Sequence, residues 1–80
     1  MSNKTIDVAR TGANIKRLCA EKGIKVSDLV YGMQISAPAV YKWMNGEGIP
    51  SLDNMIRLAD LLGVTVDEIV VTIENDSSVK

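Results

Sequence analysis

The chain has 80 residues, 46% of them hydrophobic and only 4% aromatic, and a net charge of −1. This length suits one compact domain with an aliphatic core, and the apolar content is too high for a disordered segment. The single cysteine and the absence of histidine exclude an internal disulfide bond and a zinc cluster. We therefore expect no metal and no other cofactor.

Charge is unevenly distributed along the chain. Residues 1–45 contain seven basic and three acidic side chains, whereas residues 46–80 contain two basic and seven acidic ones. Such a split is typical of a protein that turns one face toward a polyanion, although chance clustering on a solvated surface explains it equally well.

No apolar run approaches the roughly 20 residues that span a bilayer, and residues 1–6 lack the apolar stretch of a secretion signal. These absences favour a cytoplasmic protein without a membrane partner.

Apolar residues recur every three or four positions between Gly- and Pro-containing breaks, which predicts five helices. Residues 1–6 are predicted to form a flexible arm ahead of the first helix, at 7–22, which ends at Gly23. The second helix is predicted at 26–33. Because Gly12 lowers the helix propensity of the first helix, we interpret it as a site of close packing.

The third helix, predicted at 37–44, has the clearest local signals. Ser36 can cap its free backbone amides, and Pro38 falls in the first turn, where no amide donor is needed. Helical spacing directs Val40 and Trp43 toward the core. The outward side holds Pro38, Tyr41, Lys42 and Asn45, with Ala37 at its margin.

The fourth and fifth helices are predicted at 52–62 and 66–71. The apolar stripe of the fourth helix consists of Leu52, Met55, Ile56, Ala59 and Leu62. Its cap is Ser51, and the fifth helix begins with a capping box between Thr65 and Glu68.

The C-terminal part leaves one alternative open. The β-branched run at 69–73 can form a short strand instead of the end of the fifth helix. Beyond it the sequence becomes polar, and residues 73–80 are predicted to form a flexible tail. No repeat or linker divides the rest, so the sequence predicts one all-α, five-helix domain over residues 7–72.

The order of helix, short turn and helix over 26–44, followed by Gly46 and the sequence Pro-Ser-Leu-Asp-Asn at 50–54, resembles a known family. It is similar to the Cro and phage-repressor-like regulators, of the xenobiotic-response-element type. The resemblance covers about residues 8–71. It implies a compact lambda-repressor-like domain in which the second and third helices form a helix-turn-helix. The third helix would enter the major groove of double-stranded DNA, where base edges are distinguishable.

The resemblance also implies which side chains contact DNA. The residues at matching positions are Lys25, Val26, Ser36, Ala37, Pro38, Tyr41, Lys42 and Asn45. Lys42 would read a guanine edge or bind phosphate, and Tyr41 and Asn45 would contact the DNA backbone. Ala37 and Pro38 can offer only apolar contact, for example to a thymine methyl group. Structural roles remain as alternatives, Lys42 as a solvated lysine and Asn45 as a helix-end residue.

Three features depart from the family pattern. Lys25 and Val26 stand where the family usually has Ser or Thr followed by Gln, so a cap acceptor is missing. Gln34 occupies a turn position that often holds glycine, and it must adopt any left-handed conformation itself. Cys19 and Met44 replace an Arg–Glu ion pair, which predicts apolar packing there, with Cys19 as a buried hydrophobe.

We expect a small transcriptional regulator, with repression the favoured mode, that binds DNA as a homodimer and has no small-molecule ligand. The family often pairs through its C-terminal end. The expected dimer surface consists of Ile69, Val70, Val71 and Ile73. A protein-interaction module, an antitoxin or adaptor with weak or no DNA binding, is the alternative that the acidic net charge favours. An enzyme is the least supported class, because the chain has no histidine and no glycine-rich phosphate loop.

Overall fold

A computed structural model describes residues 2–76 and contains five helices flanked by two short strands. The elements in chain order are β1 (Ser2–Ile6), α1 (Val8–Lys22), α2 (Val26–Met33), α3 (Ala37–Met44), α4 (Leu52–Leu62), α5 (Val66–Ile69) and β2 (Thr72–Asp76). The bounds of α2, α3 and α4 are those that the sequence predicts. Helix α5 is shorter than predicted and ends at Ile69. No helix in the described part of the chain is long and apolar enough to cross a membrane.

The two strands correct the expectation of an all-α fold. They pair antiparallel, with Lys4 opposite Glu74 and Ile6 opposite Thr72, so β1 and β2 form a two-stranded ribbon. The fold is therefore mostly helical with one small sheet, and the segments expected to be a flexible arm and tail supply its strands. The strand that the β-branched run at 69–73 left open is present from Thr72 onward, whereas β1 was not predicted. Periodicity gives no signal for β1 because its side chains from Asn3 to Ile6 are exposed, which leaves no apolar alternation. Residues 77–80 of the expected tail lie outside the described residues.

The helices enclose one aliphatic core. Its buried residues are Ile15, Leu18, Cys19, Leu29, Met33, Val40, Trp43, Met55, Leu58, Ala59, Leu62 and Ile69. Burial raises the pKa of the Cys19 thiol, which keeps the thiol neutral, and half-buried Met44 packs against the same core. Apolar packing at Cys19 and Met44, as the sequence predicts, therefore takes the place of an ion pair.

The apolar stripe of α4 differs from the predicted one. Leu52 is 76% exposed and Ile56 is 55% exposed, whereas Leu58, which the prediction left out, is completely buried. The buried residues of α4 follow the spacing of three and four residues expected of one helix face. The prediction placed the stripe too far toward the start of the helix because Leu52 and Ile56 share that periodicity with Met55 and Ala59.

Helix α1 crosses the end of α3 at very short range. A Cβ atom added to Gly12 would fall on the carbonyl oxygen of Trp43, and it would lie 3.1 Å from the backbone nitrogen of Gly46. Gly46 in turn has a φ of 73°, and a Cβ there would lie 2.9 Å from the Cα of Ala9. The prediction of close packing at Gly12 is confirmed, and this contact fixes α3 against the body of the domain.

Gln34 ends α2 in the left-handed conformation, with φ 55° and ψ 50°. It is the one non-glycine residue with positive φ in the described range. Since a side chain is strained there and the Gln34 side chain is exposed, Gln34→Gly is expected to raise the free energy of unfolding by about 0.5–1 kcal/mol. Urea denaturation would measure the change. The matched control is Gly23→Ala, at φ 68° with no neighbouring atom within 4 Å, which should lower stability; a loss on Gln34→Gly would contradict the strain argument.

Candidate nucleic-acid interface

Local signals at the start of α3 fix the orientation of this helix. The hydroxyl of Ser36 accepts a hydrogen bond from the backbone N–H of Ala39 at 3.3 Å, and a proline lies in the first turn. Val40 is completely buried and Trp43 is 6% exposed, so one side of α3 belongs to the core. Because Val40 and Trp43 are buried, the opposite side of α3 faces the solvent.

Two adjoining shallow grooves cover the outward side of α3 and the start of α2. One is lined by Ser36, Pro38, Ala39, Tyr41, Lys42, Asn45 and Glu47. The other is lined by Lys25, Val26, Ser27, Val30, Tyr31, Ala37 and Tyr41. Because Tyr41 lines both, the grooves form one continuous surface, which we call the α3 face. All the residues that the sequence analysis assigned to DNA contact line this face.

These residues differ in how far they are available to a ligand. The side chains of Lys25, Ser36, Pro38, Lys42 and Asn45 are exposed, and Tyr41 is about half exposed. Ala37 is half-buried, as expected of a residue at the margin of the outward side. Val26 is also half-buried and packs against the core, so its main contacts lie inside the domain.

The start of α2 is capped by an acidic side chain. No side-chain cap comes from Lys25, as the sequence analysis expected. Instead, a carboxylate oxygen of Asp28 accepts a hydrogen bond from the backbone N–H of Lys25 at 2.8 Å. This bond stabilises the helix start, and it also places a negative charge next to the positive end of the helix dipole.

Two unpaired lysines supply positive charge to the α3 face. The arginines of the chain each face an acid one turn away, with Arg10 3.5 Å from Asp7, Arg17 2.7 Å from Glu21 and Arg57 3.3 Å from Asp53. Within residues 2–76, neither Lys25 nor Lys42 forms an ion pair. Their ammonium groups are therefore free to meet an anionic ligand.

Sequence reasoning missed two prominent members of the α3 face. Tyr31 is 90% exposed on α2; its position on the polar side of the predicted helix was the available signal. Glu47 lies just beyond α3, where the positive φ of Gly46 turns the chain back and the backbone N–H of Glu47 donates to the carbonyl oxygen of Lys42 at 2.9 Å. Gly46 signals the end of α3 in the sequence, but it does not show which surface the following side chain joins, so the position of Glu47 beside Lys42 and Asn45 was not expected.

The residues expected at a dimer surface lie in different environments. Ile69 is completely buried, so it is a core residue and not part of a surface. Val70 is half-buried and packs against the core, Val71 is half-buried, and Ile73 is 40% exposed on β2. The backbone of Val71 is also bound to the hydroxyl of Thr11 in α1 and to the N–H of Asp7, the residue before α1.

Phage repressors share part of this sequence. The 26 kDa repressor protein of Escherichia phage HK022 is 44% identical over 39 residues, which cover 49% of this chain and 17% of that protein. The cryptic phage CTXphi transcriptional repressor RstR of Vibrio cholerae is 37% identical over 35 residues, which cover 44% of this chain and 31% of that protein. The chain thus spans less than a third of the length of either repressor.

The fold also occurs in a solved structure. The restriction-modification controller protein C.AhdI from Aeromonas hydrophila superposes with a TM-score of 0.73 and 24% identity, over 79% of this chain and 96% of that chain. The sequence profile of a family of DNA-binding domains matches residues 14–75, which extend from α1 into β2. The members of this family are DNA-binding proteins and not enzymes. The chain belongs to the Cro/C1-type helix-turn-helix DNA-binding domain family.

Proposed function

We propose that the chain is a sequence-specific transcriptional regulator, that α2 and α3 form its helix-turn-helix, and that α3 enters the major groove of double-stranded DNA. The observation that carries the proposal is the α3 face, which joins an outward helix side to the start of α2. An α-helix fits the major groove, and the exposed Lys25 at the start of α2 offers a positive charge to phosphate beside the capping carboxylate of Asp28. Two of the relatives are named as repressors, which favours repression as the regulatory effect.

The side chains of the α3 face divide into base-reading and backbone-binding groups. Lys42 lies in the last turn of α3, on its outward side, and we assign its ammonium group to guanine acceptors. Lys25, at the start of α2, is placed for phosphate, as are the polar side chains of Ser36 and Asn45 at the two ends of α3. Pro38 adds apolar contact with a thymine methyl group.

The proposed regulator binds as a homodimer. One recognition helix reads only a few base pairs, and two-fold pairing on two half-sites supplies the missing affinity. Val70, Val71 and the exposed Ile73 are the proposed dimer residues, because they lie together where α5 leads into the ribbon. Such a dimer selects a two-fold symmetric site with half-sites about one helical turn apart.

Selection of bound sequences from a random duplex pool tests this function. Lys42→Ala is expected to lose discrimination at one position of each half-site by about 5- to 150-fold, the range for a lost base contact. Lys25→Ala should instead weaken binding to all duplexes about equally. It should lower the slope of log affinity against log salt by about 2, because the dimer loses one phosphate contact in each subunit. Lys16→Ala, at an exposed lysine of α1 away from the α3 face, is the control and should change neither quantity strongly.

DNA binding at low salt distinguishes the proposed regulator from the second candidate function, a protein-interaction module. The half-buried, apolar Ala37 and the small number of free cations on the α3 face favour a protein-interaction module, an antitoxin or adaptor. Such a module would bind neither random nor selected duplexes even at low salt. Binding to a selected duplex, weakened by Lys42→Ala, would exclude it.

A further inference from the structure

Glu47 places a carboxylate on a surface otherwise suited to an anionic ligand. It is exposed and lines the same groove as Lys42 and Asn45. The hydrogen bond from its backbone N–H to the carbonyl oxygen of Lys42 at 2.9 Å holds it against the end of α3. Glu47 has no ion pair within residues 2–76, so its charge is not neutralised by a neighbour.

The chemistry of DNA leaves few favourable partners for that carboxylate. Ionised glutamate only accepts hydrogen bonds, and phosphates repel it. In the major groove the available donors are the N4 amine of cytosine and the N6 amine of adenine. Adenine presents its N7 acceptor beside the amine, which faces a carboxylate unfavourably, whereas cytosine presents the amine without an acceptor of its own. Cytosine is therefore the base that Glu47 suits.

We propose that Glu47 is a specificity-determining residue that accepts a hydrogen bond from the N4 amine of a cytosine in each half-site. The cytosine lies in or next to the base pair whose guanine Lys42 contacts, because the backbones of the two residues are joined. A donor-only lysine and an acceptor-only glutamate, side by side, match the guanine and cytosine edges of a G·C pair. This inference rests on the proposed docking of α3 in the major groove.

Duplex selection with the whole chain and with Glu47→Ala and Glu47→Gln tests the proposal. Selection by the unchanged chain should enrich cytosine at one position of each half-site. Glu47→Ala should lose that preference by about 5- to 150-fold while it keeps the preference attributed to Lys42. Glu47→Gln should move the preference toward adenine, since a glutamine amide can pair with both N6 and N7.

Simple repulsion between the Glu47 carboxylate and DNA phosphates would give a different result from a hydrogen bond to cytosine. If the carboxylate acts only by repelling phosphates, Glu47→Ala will raise affinity for all duplexes by one factor and leave the preferred bases unchanged, which overturns the proposal. Asp60→Asn, at an exposed acid of α4 outside the α3 face, is the matched control for removal of one negative charge. If the unchanged chain selects no sequence, the proposed function fails; if it selects a site that both Glu47 variants retain, this inference alone fails.

Discussion

Gly12→Ala is expected to lower the free energy of unfolding by about 3 kcal/mol or more, at the upper end of the range for overpacked sites. The new methyl group would meet the carbonyl oxygen of Trp43, the carbonyl oxygen of Met44 at 3.2 Å and the backbone nitrogen of Gly46 at 3.1 Å. All three atoms are backbone atoms, so no side-chain rotation can make room. Helix propensity alone would make alanine stabilise α1 by about 1 kcal/mol relative to glycine. A large decrease in the free energy of unfolding would therefore come from the steric contact and not from helix propensity.

Urea or thermal denaturation measures this loss, and Gly32→Ala is its control. A Cβ on Gly32 would meet only the end of the Leu61 side chain, at 3.1 Å, and that flexible group can move. We expect Gly32→Ala to change stability by less than about 1 kcal/mol in either direction. Equal stability of Gly12→Ala and the unchanged chain would show that α1 and α3 do not approach as described. Since this contact also supports the end of α3, Gly12→Ala should reduce DNA affinity at temperatures where it still folds.

The parts of the fold that the sequence predicts well have local causes. Ser36 and Pro38 mark the start of α3 through hydrogen bonds and backbone geometry within one turn. Gly23 and Gly63 end α1 and α4 with φ values of 68° and 70°, where glycine avoids the strain of a Cβ. The outward side of α3 was also predictable from local sequence. Helix periodicity alone decides which side chains lie on the side of the helix opposite Trp43.

The parts that the sequence did not predict depend on contacts between distant residues. The ribbon joins Lys4 to Glu74 across almost the whole chain. A strand at 69–73 was an alternative from the sequence, but its pairing with residues 2–6 was not predicted, because the exposed side chains of the ribbon carry no burial pattern. Helix α4 has more apolar residues than one face can hold, so only packing decides that Leu58 is buried and Leu52 is exposed. Gly46 marks the end of α3 as glycines mark the ends of α1 and α4, but the side chain that follows it, Glu47, lines the α3 face because of how the chain then runs.

Thr11→Val is expected to lower the free energy of unfolding by about 1–3 kcal/mol, the cost of leaving a buried polar group without a partner. Thr11 is completely buried. Its hydroxyl accepts from the backbone N–H of Val71 at 3.0 Å and donates to the carbonyl oxygen of the same residue at 3.3 Å. Valine keeps the shape of the side chain but supplies neither bond, so the N–H of Val71 loses its partner.

The position of Thr11 gives this substitution a second, local effect. Asp7 directly follows β1 and donates its N–H to the carbonyl oxygen of Val71 at 2.8 Å, and Val71 directly precedes β2. Thr11 therefore stabilises the end of the ribbon that lies next to the helices. The ribbon has only two strands and so has little stability of its own. Hydrogen exchange should accelerate more at the amides of β2 than at those of α3 in Thr11→Val. Thr72→Val, at an exposed position of β2, is the control and should leave both unchanged.

Equal exchange in all elements would mean that Thr11 stabilises the domain as a whole and not the ribbon. If exchange rises mainly in β2, the proposed dimer residues Val71 and Ile73 become mobile together. Binding to a duplex with two half-sites should then weaken more than binding to one half-site, because only the former depends on dimer contacts. The α3 face is not changed by this substitution, so the preferred bases within a half-site should stay the same.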